Sequence, residues 1–148
     1  LQDDPSAYGS AYEDELTMGL ETWAARYLAP PHIACFGAFQ GEKLLGMNAL
    51  IRNTGAKLRH RAMIAAMYTL PEWRGRGIGA DLVAAALEQS RHWEGVLDVT
   101  LAVTVGNNSA KGLYEKLGFR VYSYDPRYIR VGEKYFDIEW MILSLGVQ

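Results

Sequence analysis

The sequence predicts an α/β (α+β) fold: one mixed, mostly antiparallel sheet with a central parallel strand pair and flanking helices. Three observations carry this expectation. An extended run, a long helical pattern and a second extended run follow one another between Arg61 and Val105, and a strand–helix–strand crossover favours parallel pairing of its two strands. Extended runs joined by the turn-like links "QGEK" and "VGEK" stand on either side of that unit and read as hairpins. The chain has 148 residues, 49% apolar and 22% charged, which fits a single domain with a real core.

The stretch through "YEDELTMGLETWAARYL" reads as one helix. Leu16, Leu20, Trp23 and Tyr27 recur there at spacings of three and four behind an acidic start, and "APP" at 29–31 ends it. "HIACFGAF" and "KLLGMNALIR" make the first hairpin. The polar "NTGAKLRH" then loops into "RAMIAAMYTL", an extended run whose alanines also suit a helix. From Ile78 to about Trp93 the pattern is helical, with Ile78, Leu82, Ala86 and Trp93 near one face and Gly95 as a stop. "VLDVTLAVTV" alternates cleanly, so Leu97, Val99, Leu101, Val103 and Val105 share a face. "NNSAKGLYEKLGF" reads as a short helix capped by Asn108 and closed by Gly118, with Ala110, Leu113, Tyr114 and Leu117 as its apolar stripe. "FRVYSYDPRYIRV" and "KYFDIEWMILSL" complete the last hairpin.

Composition narrows the function classes. A net charge of -2 implies no general attraction to nucleic acid or an acidic membrane. No apolar run approaches the ~20 residues that span a bilayer, and the first residues lack a signal-peptide layout. The single cysteine, Cys35, allows no internal disulfide and suits a reducing, cytoplasmic compartment. His32, His60 and His92 have no metal spacing, so no metal is expected; His32 and Cys35 read as packing on a buried strand.

Chemistry is concentrated in "YTLPEWRGRGIG" at residues 68–79. Glycine weakens regular elements, so three of them beside two arginines mark a turn or a close approach, and the arginines point to an anion. A P-loop needs a Gly-Lys pair, and the sequence has none. Gly75, Gly77 and Ala80 satisfy a permissive dinucleotide fingerprint. However, residues 71–74 separate the strand from the first glycine, and "TLAVTV" runs into Gly106 and Asn107 rather than the ribose-binding acid. The third reading fits on several counts. "MYTLPEWRGRGIGADLVAAAL" resembles the acetyl-coenzyme A motif of the GCN5-related N-acetyltransferases (the GNAT superfamily), with Pro71, Arg74, Gly75, Gly77 and Gly79 at the family's positions. Its physics stands by itself. The first N–H groups of a helix lack internal partners and carry the positive end of the dipole, and glycines let a diphosphate reach them.

A second motif agrees with the first. "GNNSAKGLYEKLGF" supplies Asn107, Ala110, Tyr114, Gly118 and Phe119 at the spacing of the family's other signature. The resemblance covers about residues 33–145, and "DPSAYGSAYEDEL" is similar to the family's first-to-second helix region. It implies a first strand and most of a first helix ahead of Leu1. It also implies that the two central parallel strands splay, with a bulge in the first, so that the pantetheine arm enters the gap. On that resemblance acetyl-coenzyme A is held by Met67, Tyr68, Thr69, Arg74, Gly75, Arg76, Gly77, Ile78, Gly79, Ala80, Asn107 and Ala110. The N–H near Thr69 would face the oxyanion, and Tyr114 would protonate the thiolate. Pattern alone favours Tyr114 as a core residue with its hydroxyl satisfied.

Other roles stay open. Lys111 and Lys116 are further candidates for the adenosine phosphate, while Arg74 and Arg76 also read as solvated charges. Many family members carry a glutamate on the strand before the glycine turn, but "RAMIAAMYTL" has no acid. Glu13, Glu15, Asp137 and Glu139 are the alternatives for a general base, and none is assigned. Tyr122, Tyr124, Tyr128, Tyr135 and Trp140 suit an acceptor pocket or a homodimer contact. The expected activity is acetyl transfer to a small-molecule or peptide amine. The rivals are a non-catalytic coenzyme A-binding module and a structural domain without cofactor.

Overall fold

A computed structural model describes residues 5–8, 10, 12–28 and 30–146, without the side chains of Tyr12 and Glu13. Asp4, Gly9 and Ala11 of the family-like opening, and Ala29 of the expected helix stop, lie outside the described residues. A 3-10 turn at Pro5–Ala7 precedes α1 (Tyr12–Leu16) and α2 (Leu20–Tyr27). Then come β1 (Ile33–Gln40), β2 (Lys43–Arg52), β3 (Arg61–Thr69), α3 (Ile78–His92), β4 (Asp98–Thr104), α4 (Asn108–Lys116), β5 (Arg120–Val131) and β6 (Lys134–Ser144).

The single helix expected at the start is two. Gly19 is extended (φ -61°, ψ 148°) and starts α2, while the Thr17 hydroxyl folds back on the Asp14 carbonyl. The expected stripe is therefore not continuous: Leu16 and Leu20 are 66% and 81% exposed. The alanine-rich run is a strand, because β3 finds ladder partners on both sides. Leu97 and Val105 lie outside β4 and are exposed, whereas Val99, Leu101 and Val103 are buried as the alternation predicts. The first strand, β1, is an edge strand, so Cys35 is half-buried and its thiol bonds the Tyr27 carbonyl at 3.4 Å.

One six-stranded sheet has the order β1-β2-β3-β4-β6-β5. Hairpins β1–β2 and β5–β6 turn through Gly41 and Gly132, and every pairing except β3–β4 is antiparallel. Leu82, Val83, Ala86 and Leu87 of α3 are buried, and a single core joins Val83, Ala86 and Leu87 to Leu50, Ile64, Val99, Leu101, Tyr114, Phe119 and Met141. Each large side chain there contributes roughly 1.5–3 kcal/mol by leaving water. The parallel ladder is short: only Arg61–Asp98, Ala62–Val99 and Met63–Thr100 pair. Beyond them Ile64–Thr69 of β3 and Leu101–Thr104 of β4 are not laddered to each other. The central strands splay, as the family resemblance implied.

Candidate functional site

The splay has a local cause. Tyr68 pairs with Met47 and Ala65 with Ala49, so Asn48 alone faces Ala66 and Met67. This is a β-bulge, and it bends the bulged strand. Ala66 takes a left-handed φ of 52°, a strained choice for a residue with a side chain. Past the bulge the strand's polar groups sort by side. The Tyr68 carbonyl faces β2 so closely that a Cβ on Gly46 would meet it at 2.8 Å, and the Leu70 N–H donates to the Leu45 carbonyl at 2.8 Å. Alternation then turns the N–H and C=O of Met67 and Thr69 away from β2, into the gap. Two side chains meet those carbonyls. The Tyr8 hydroxyl donates to Met67 O at 2.9 Å, and Arg74 Nε donates to Thr69 O at 3.0 Å.

Beside the gap the chain makes one 3-10 turn at Pro71–Trp73 and enters α3 through Gly75 (φ 73°) and Gly77 (φ 88°). Both glycines sit where L side chains are strained, and a Cβ on either would meet nothing within 4 Å. The first intrahelical bond of α3 runs from Asp81 N–H to the Gly77 carbonyl at 3.0 Å, and no side chain caps the helix. The N–H groups of Ile78, Gly79 and Ala80 therefore precede the ladder at an open mouth. Gly79 does a different job, since a Cβ there would press Leu113 Cδ2 at 3.1 Å and Met67 Cε at 3.4 Å. The guanidinium of Arg74 lies 5.9 Å from the Tyr68 ring, and that of Arg76 lies 4.7 Å from the Trp73 ring. Arg74 is thus folded against the strand, while Arg76 flanks the mouth.

The second motif closes the other side. The cap of α4 is Asn107 and not Asn108: its Oδ1 accepts from Ala110 N–H at 3.2 Å. Two adjacent asparagines both suit a cap, and the chain turns one residue earlier than expected because Gly106 takes φ 94°. Tyr114 is 6% exposed, edge-on to Phe119, in the core shared with Leu101 and Val103; Met67 packs against it. Burial pushes its phenol up to about 12.

Of the alternative acids, Asp137 and Glu139 are engaged, while Glu15 lies on α1. Asp137 accepts from the Tyr124 hydroxyl and, at 2.7 Å, from Arg127 N–H, where β5 bulges and Arg127 takes φ 56°. Those bonds, Tyr124 first, hold its carboxyl below the usual range. Glu139 pairs with Lys111 at 2.7 Å, which also withdraws Lys111 from the phosphate candidates. The side chain of Glu13 lies outside the described residues. Sequence reasoning missed Tyr8 and Asn48. No local pattern marks either, because their partners lie 59 and 34 residues away.

A splayed parallel pair beside an uncapped, glycine-entered helix can seat a thioester arm with its diphosphate. The acetyltransferase (GNAT) family matches residues 2–119. The chain belongs to that family. It is 34% identical to the N-alpha-acetyltransferase MAK3 of Arabidopsis thaliana over 61% of this chain and 48% of that protein. To the N-alpha-acetyltransferase RimI of Mycobacterium tuberculosis it is 32% identical, over 80% of this chain and 75% of that protein. The chain thus spans about half the length of the first relative. Among solved structures, a GCN5-related N-acetyltransferase from Kribbella flavida superposes with a TM-score of 0.79 at 22% identity, covering 97% of this chain and 84% of that one. The acetyltransferase yncA from Salmonella typhimurium, described as putative and solved with its cofactor acetyl-CoA, gives 0.73 at 17% identity, over 95% and 78%. The mixed sheet with its parted centre is therefore a GNAT fold.

Proposed function

We propose that this GNAT protein transfers the acetyl group of acetyl-coenzyme A to a primary amine, with a peptide α-amino group as the first acceptor to test. The open α3 mouth beside the splayed strands is the single observation that carries the reading. Its free N–H groups at Ile78, Gly79 and Ala80 suit the diphosphate, with Arg74, Gly75, Arg76 and Gly77 around it. The gap-facing N–H groups of Met67 and Thr69 suit the pantetheine arm, with Tyr68 between them, while Tyr8 and Arg74 hold the two carbonyls. Asn107 spends its oxygen on the cap and keeps its amide N–H groups for the arm, beside Ala110.

Acetyl-coenzyme A supplies a thioester carbonyl open to attack. The neutral amine adds to that carbon, and gap-facing backbone N–H groups stabilise the oxyanion. The C–S bond then breaks, and the Tyr114 hydroxyl gives its proton to the departing sulfur; the surplus proton on the new amide returns the phenol to its neutral form through solvent. Desolvation raises both anions, so the buried phenol and a thiolate formed in the same dry gap are less mismatched than in water.

Charge supports an α-amine. Asp137 and Glu139 are engaged and β3 has no acid, so neither of them nor the strand before the glycine turn offers a free base to deprotonate a lysine. An α-amine is roughly one third neutral at pH 7.5, against about 0.1% for lysine. The relatives named as N-alpha-acetyltransferases agree with that choice. The experiment is thiol release from acetyl-coenzyme A across peptides with free or blocked N-termini, lysine side chains, polyamines and amino acids. Turnover that requires a free N-terminus is the expected result. Binding without turnover on any amine would leave a coenzyme A-binding module, and no binding would remove the proposal altogether.

A further inference from the structure

We propose that Asn48 is a positioning residue that fastens the first turns of α3 to the bulge of β3 and so sets the span between the helix mouth and the gap. The proposal rests on the acetyl-coenzyme A reading above. Asn48 is 0% exposed, on β2, directly opposite Ala66 and Met67. Its Nδ2 donates to the Leu82 carbonyl of α3 at 2.9 Å. Its Oδ1 is buried and has no hydrogen-bond partner among the described residues.

Fold stability alone does not account for this side chain. The helical register already gives the Leu82 carbonyl a donor in the Ala86 N–H, and a buried acceptor without a donor costs free energy. An apolar side chain of the same shape would fold at least as well. What the amide adds is direction. It ties one carbonyl of α3 to the one residue of β2 that faces the bulge. The neighbouring Gly46 marks the same junction, since a Cβ there would press Tyr68 O at 2.8 Å, and Leu82 Cδ1 and Thr69 Oγ1 at 3.2 Å each. The helix, β2 and the bulged strand therefore meet at Leu82. The diphosphate seat hangs from one side of that junction and the gap-facing amides of Met67 and Thr69 from the other. One cofactor must reach both, so a looser junction blurs the distance between them.

Asn48→Leu tests this. The expected variant melts no lower than the wild type, exchanges the amides of Asp81 and Leu82 about tenfold faster than the wild type does while the rest of the core keeps its wild-type rates, and binds acetyl-coenzyme A about tenfold more weakly, with the acceptor KM within about twofold. Wild-type exchange and wild-type cofactor affinity would overturn the proposal, as would lower melting with unchanged affinity. Should that variant not fold, Asn48→Asp decides. A buried carboxyl stays protonated at pH 5 and can donate to Leu82, but its carboxylate at pH 8 cannot. The ratio of its cofactor Kd to the wild-type value should rise about tenfold from pH 5 to pH 8, and a constant ratio would refute the anchor. If the wild type itself fails to bind acetyl-coenzyme A, the proposed function falls, while the exchange comparison still decides the role of Asn48.

Discussion

Tyr114 combines two properties that pull apart the roles a buried tyrosine can play. It is deep in the core, yet only desolvation shifts its phenol, with no hydrogen bond contributing. Tyr114→Phe removes no side-chain hydrogen bond among the described residues, and its melting temperature should stay within about one or two degrees of the wild type. The proposed proton donor is lost, so kcat should fall about tenfold to a hundredfold while acetyl-coenzyme A affinity holds. Full activity in steady-state kinetics would remove Tyr114 from the mechanism. An ultraviolet phenolate titration gives an independent check. Folded pKa is raised from 10.0 to about 12, so this stability is present below pH 10 and lost as pH climbs toward 12; the variant should lack the late phenolate step. Asp137 runs the opposite way. Its carboxyl is held below 3.8, so its contribution is present above that pH and fades as pH falls through the lower folded value. Asp137→Asn should melt lower than the wild type at pH 7, and thermal scans should show the difference closing below pH 3.8. At this scale the sequence shows Tyr114, Asn107 and the glycines, because their spacing is local. It hides Tyr8 and Asn48, whose meaning comes from partners on other elements.

Elements carry the cofactor seat through their ends. Gly77 enters α3 with φ 88°, where a side chain costs about 1–2 kcal/mol. Gly77→Ala should lower the melting temperature by roughly 2–8 °C in a domain of this size. Gly77→Glu adds a carboxylate at the open mouth and should weaken acetyl-coenzyme A binding more than tenfold by calorimetry; unchanged affinity would misplace the diphosphate. Asn107→Ala separates two duties of one side chain. Loss of the cap costs about 1 kcal/mol, and any loss of cofactor affinity beyond that measures the free amide. Element identity was legible where the apolar period was strong, as in β4 and α3. It failed across residues 12–27, where a helical period persists through Gly19 although the backbone there is extended. Spacing alone does not register a break that preserves the phase.

For the whole molecule, acetyl-coenzyme A should act as a folding ligand. At a concentration of 100 times Kd it adds about 2.7 kcal/mol, or roughly 5–11 °C in melting temperature for a domain of this size. Desulfo-coenzyme A, which keeps the diphosphate, should retain most of that shift, and a scan without any shift would argue for a domain that takes no cofactor. The fold class and its mixed pairing were readable because a crossover unit between hairpins leaves few topologies. The extent of the parting was not, since it depends on three residue pairs and a bulge at Ala66 that no alternation pattern announces. That brief ladder has a mechanical consequence. The sheet is two three-stranded leaves, β1-β2-β3 and β4-β6-β5, riveted at one end. Their free margins bring edge-strand chemistry, which sheets elsewhere keep at the periphery, to the centre of the molecule. A guest chain threaded there would serve as a removable seventh strand, so hydrogen exchange along β3 and β4 should slow when acetyl-coenzyme A is added and recover when it is removed.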